Sequence, residues 1–173
     1  MNIKTALRNF VSSFDARIKD AGGVTEIYYA FSTLYDSSKW ADQCQQNMVE
    51  IYARAKSLLE HIENGDGAEN VWPTLDDLAF HAAIFGCYYH IFDSALGQSL
   101  ASGDIPWNDP SGIVEHDLGS DLKQVLGNSI GCFENLVEAF NRKDVVAQRR
   151  HLTELYLLLS RLQCFAARNR LGT

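Results

Sequence analysis

Asp77 and His81 lie four residues apart, the spacing that sets a carboxylate and an imidazole on one face of a helix. An ion held by that pair would need further ligands. His151 is placed to approach from the last helix, with Asp109 or Asp117 as a loop carboxylate. His90 cannot join them, because nine residues from His81 turn a helix through 900° and onto the opposite face. No H-E-x-x-H or paired E-x-x-H pattern is present. We therefore expect His81 to be partly buried, hydrogen-bonded to Asp77 or a neighbouring helix, and to hold no metal.

Arg54 and His61, seven residues apart, nearly superpose on one helical face. His61 also falls near a helix C-terminus beside Glu60 and Glu63, where the dipole favours a cation. The acidic surroundings repel phosphate, so we expect no ribonuclease activity. Cys87 and His90, at i and i+3, have the types of a nucleophile and its base. Cys87 sits mid-helix with no basic residue near it in sequence, which points instead to a buried structural thiol. No phosphate-cradling glycine loop occurs, and Gly65-Asp66-Gly67 lacks the ligand spacing of a calcium loop. No catalytic residue and no cofactor are expected.

Two family resemblances attach to these residues. The stretch Trp72-Pro73-Thr74-Leu75-Asp76-Asp77-Leu78-Ala79-Phe80-His81 resembles the element that carries the first metal-binding histidine of DinB-like helical bundles, which are similar in length and all-helical build. The resemblance implies a metal-dependent enzyme using His81 and His151. Members of that family usually add two histidines as H-x-x-x-H on a later helix, whereas Leu155 stands four residues after His151 here. The spacing of Arg54 and His61 resembles the R-x4-6-H signature of HEPN ribonucleases, which implies cleavage of an RNA backbone by those two residues.

The elements that must position these groups read as helices throughout. Ile3, Leu7, Phe10, Phe14 and Ile18 form an apolar stripe that Asn2 can cap and Gly22-Gly23 can end. Thr25 then caps a short helix through Tyr28, Phe31 and Leu34. Cys44, Met48, Ile51, Ala55, Leu58 and Ile62 trace one face up to Asn64-Gly65-Asp66-Gly67. Pro73-Thr74 and Asp77 predict a helix start at Thr74, with Asp77 reaching back onto the cap. That helix is apolar on most sides to about Leu100, which makes it the hub. A loop follows over residues 102–112, pinned by Trp107, then a helix from Ile113 or Ser120 to Phe140, and a last one capped by Asp144. The fold class is all-α, a single-domain antiparallel bundle of five to six helices over residues 1–173.

Composition supports that class, with 46% hydrophobic and 21% charged residues. No apolar run approaches the roughly 20 residues that cross a membrane. Four scattered cysteines without a secretory h-region suggest reduced thiols and a cytoplasmic location. The net charge of −7 is unevenly spread: no Lys or Arg lies between Lys56 and Lys123, while Arg149, Arg150, Arg161, Arg168 and Arg170 crowd the end. These regions either pack together and neutralise, or present charged surfaces to partners. Gly119, Gly127 and Gly131 interrupt a segment that otherwise favours helix, through tight packing or through a contact. The sequence therefore points to a protein that works through protein–protein contacts, with a homodimer possible and neither nucleic acid nor membrane involved. Its expected contact residues are Arg150, Arg161, Arg168, Trp107, Gly127 and Gly131.

Overall fold

The computed structural model describes residues 2–20, 40–102 and 118–172. Within them the chain forms α1 (Ile3–Asp20), α2 (Trp40–Glu63), α3 (Ala68–Ser102), α4 (Leu122–Asn141) and α5 (Val145–Arg170), and no strand. The short helix expected after Thr25 and the stop at Gly22-Gly23 lie outside the described residues, as do Trp107, Asp109 and Asp117. No helix among the described residues is long and apolar enough to cross a membrane.

The helix ends follow local chemistry. Asn2 Oδ1 accepts from the Lys4 amide at 2.9 Å and starts α1 as expected. Gly65, at φ +72°, closes α2: the Asp66 amide bonds the His61 carbonyl and the Gly65 amide bonds that of Ile62. The same pair of bonds ends α4 around Lys143, which takes the left-handed conformation without being glycine. Asp144 then accepts from the Ala147 amide and opens α5.

Two expected details are corrected. The start of α3 is Ala68 rather than Thr74, with the Gly67 carbonyl accepting from the Asn70 and Val71 amides. Pro73 is carried inside the helix near its start, and Thr74 donates its hydroxyl to the Asn70 carbonyl instead of capping. Gly119 is not helical. It sits before α4 at φ +100°, where a Cβ would come within 2.9 Å of Gln124 Cβ, while Asp121 is the cap.

The apolar stripes meet in one cluster. Leu7, Phe10 and Phe14 of α1 pack with Phe92 of α3, and Phe140 of α4 closes on Phe10. Cys44, Met48, Ile51, Ala55 and Leu58 of α2 are fully buried, as the stripe predicts. Helix α3, 35 residues long, packs against α1, α2 and α5, which explains why it is apolar on most sides. Helices α3 and α5 run in opposite directions, since Asp93 pairs with Arg149 and Asp76 with Arg170.

Candidate functional site

The α2–α3 interface gathers the polar groups that the sequence leaves scattered. Gln43, Asn47, Glu50 and Arg54 recur along α2 at three- and four-residue spacing and face His81, Ile84 and Tyr88 across a cleft of about 340 Å³. Arg54 donates from Nε to Asp77 and from Nη1 to Glu50, so one guanidinium ties two carboxylates. His81 Nε2 stands 3.9 Å from Asp77 Oδ1, within ion-pair range and beyond hydrogen-bond length. Of the two partners expected for His81, Asp77 is near without a hydrogen bond, and the neighbouring helix supplies one through Asn47, to the backbone carbonyl rather than the ring. The His81 side chain is 20% exposed, and its backbone carbonyl accepts from Asn47 Nδ2 at 3.1 Å.

Burial lowers the His81 pKa from its ordinary value, the Arg54 charge lowers it further, and Asp77 opposes both. Its neutral imidazole is thus available at neutral pH as an acceptor or base. Asn47 is buried, its amide is oriented by the His81 carbonyl, and its Oδ1 has no hydrogen-bond partner among the described residues. The Arg54 guanidinium points at Asp77, whereas His61 Nδ1 lies 2.6 Å from Asp66 Oδ2. Arg54 is held by Asp77 and Glu50 and His61 is held by Asp66, and the imidazole of the Arg54 cleft belongs to His81. The sequence concealed this because the partner comes from another helix.

His81 and His151 are not brought together. The Asp93–Arg149 and Asp76–Arg170 pairs put His81 level with Gln163, about twelve residues or 18 Å along α5 from His151. The two histidines also face different neighbours, His81 toward α2 and His151 toward Cys132 of α4. Cys87 donates weakly to the Ala83 carbonyl at 3.8 Å and is only partly buried, a correction to the buried thiol expected there. His90 is exposed and its ring meets Tyr89 and Tyr156 edge-on.

The outer side of the α3–α5 pair carries a second feature. Phe80 is 63% exposed in a groove of about 810 Å³ that it lines with Ala79, Ala83, Cys164 and Ala167. Asp76 and Arg170 bridge across one end of it at 3.0 Å. Arg161 and Arg168 are exposed on α5 beside the groove, and Arg150, also exposed, stands about 15 Å before the groove's first α5 lining residue, Ser160. Their separations of eleven and seven residues are close to whole helical turns, so they form one basic ridge. Arg161 donates to the carbonyl of Gly119 and keeps its charge, and the Arg168 guanidinium lies 5.9 Å from the Phe165 ring centroid.

Glu154, one turn after Arg150, lies with Oε2 3.7 Å from His151 Nδ1. Arg149 pairs with Asp93 and Arg170 with Asp76, both on the side of α5 that faces α3. A Cβ on Gly127 or Gly131 would meet nothing within 4 Å among the described residues. Comparison with protein-family models, with curated proteins and with solved structures found no match to this chain.

Proposed function

We propose that this protein acts by binding other proteins, and that the α3–α5 groove receives an acidic amphipathic helix of a partner. The observation that carries the reading is Phe80, a large apolar side chain 63% exposed that lines a groove between two helices. An exposed apolar trough rimmed by polar groups is how helix-in-groove recognition is built. Arg161 and Arg168 lie roughly 50° around α5 from Cys164, so a helix seated on Phe80 would turn its polar side toward positive charge, and one that continued along α5 would meet Arg150 as well. That charge selects an acidic partner and argues against a second copy of this ridge, which would repel it. An adaptor, inhibitor, chaperone or regulator would each use such a surface, in a bundle that we read as antiparallel throughout. Cys44, Cys87, Cys132 and Cys164 are free thiols, in keeping with a reducing compartment such as the cytoplasm.

Two synthetic helices with the same leucine face, one carrying glutamates and one lysines opposite, test the reading by fluorescence anisotropy. The acidic peptide should bind, and Phe80→Glu should weaken it at least tenfold. Added salt or the pair Arg150→Glu with Arg168→Glu should also weaken it. Equal binding of both peptides, or binding indifferent to Phe80→Glu, overturns the proposal. A dimer that Phe80→Glu dissolves would assign the groove to a second copy and overturn it as well.

A second reading has its own observation. The unpartnered Oδ1 of buried Asn47, beside Glu50 and Asp77, favours a small hydrogen-bond donor such as an amine or amide in the α2–α3 cleft. Such a ligand would shift the titration of His81.

A further inference from the structure

The α4–α5 interface holds a cluster that neither surface uses. Cys132 of α4 is 2% exposed, and across from it His151 and Glu154 stand one turn apart on α5. The Cys132 Sγ, a His151 ring nitrogen and a Glu154 carboxylate oxygen all lie within 4.8 Å of one another. The thiol reaches fully across the interface, because its Sγ donates to the His151 carbonyl at 2.9 Å. His151 Nδ1 is buried, has no hydrogen-bond partner among the described residues, and lies 3.7 Å from Glu154 Oε2. A buried imidazole nitrogen without a partner among the described residues thus stands beside a thiol and a carboxylate, three groups that can each offer a ligand atom.

We propose that Cys132, His151 and Glu154 form a zinc-binding site. The donor set is sulfur, nitrogen and oxygen, the combination that zinc accepts in tetrahedral geometry. Zn²⁺ with one thiolate and one carboxylate is electrically neutral, so the complete site can stay buried where its separate charges could not. Three protein ligands leave the fourth position to water, and the 18% and 27% exposure of the His151 and Glu154 side chains gives water a way in. On binding, the Cys132 S–H bond breaks, a zinc–sulfur bond forms, and the proton passes to solvent. His151 coordinates as the neutral imidazole through Nδ1. Burial, with Glu154 second, otherwise pushes the Cys132 thiol far above its usual range and keeps it protonated.

The test uses the full chain after chelator dialysis, with Cys87→Ser and Cys164→Ser introduced so that the partly exposed thiols cannot contribute. Added Co²⁺ should bind one per chain with a thiolate-to-cobalt charge-transfer band that Zn²⁺ then abolishes. Zinc should also raise the melting temperature, because its ligands join α4 to α5. Cys132→Ser should remove the band. Should that variant fail to fold, Glu154→Gln at the rim should still weaken zinc at least tenfold and His151→Gln should do the same. Absence of the band in the folded parent, or zinc affinity unchanged in Glu154→Gln and His151→Gln, overturns the proposal.

Discussion

His81 shows how a residue's chemistry depends on neighbours that its own segment does not contain. Asp77, one turn away on α3, raises its pKa, while burial against α2 and the Arg54 guanidinium lower it, and the lowering effects win. The folded protein therefore binds the His81 proton less readily than the unfolded chain does. This contribution to stability is full above the ordinary histidine value of 6.5 and is lost as pH falls through the lower folded value. Proton NMR titration should place His81 below an unperturbed histidine. Arg54→Gln should move it up and Asp77→Asn should move it further down. A His81 that titrates at its ordinary value in both variants would show that Arg54 and Asp77 do not act on it.

At the scale of the helix, α4 and α5 differ in what their unusual residues do. A Cβ on Gly127 or Gly131 meets none of the described residues within 4 Å, so alanine there clashes with none of them and removes a helix-propensity cost of up to about 1 kcal/mol each. Chemical denaturation of Gly127→Ala and Gly131→Ala should show stabilisation of that order. If these glycines instead seat a partner, the same variants will be stable yet weaken association on sizing, so the two measurements separate the roles. The arginines of α5 divide by direction. Those that face α3 are tied to carboxylates, and those on the outer ridge are exposed. Arg161 spans both groups, because it is exposed on the ridge while the Gly119 carbonyl holds it.

Across the whole molecule, two ion pairs fix the register of α3 against α5, and burial decides which matters more. Arg149 and Asp93 are joined by two hydrogen bonds with side chains 13% and 27% exposed. Arg149→Ala would strand that carboxylate and should cost about 2–3 kcal/mol. Arg170 and Asp76 are more open, so Arg170→Ala should cost no more than about 1 kcal/mol. Equal losses in denaturant titrations would show that burial does not rank the two. The all-helical class was legible from the sequence because apolar residues at three- and four-residue spacing can bury themselves in few other ways. The stripes of α1 and α2 and the caps at Asn2 and Asp144 followed from local chemistry alone. The start of α3 was misread because Pro73 and Thr74 are strong local signals. Packing of the long helix and the Gly67 carbonyl accommodate both inside it. Of the sites, the Asp77–His81 pair and the exposed arginines of α5 were legible, and their partners on other helices were not. Arg54 meets Asp77 across 23 residues, Cys132 meets His151 across 19, and Phe80 lies exposed beside Cys164 of another helix. Periodicity along a chain says which face of a helix a residue occupies. Which helix stands opposite, and at what height, is set by the packing of the whole core.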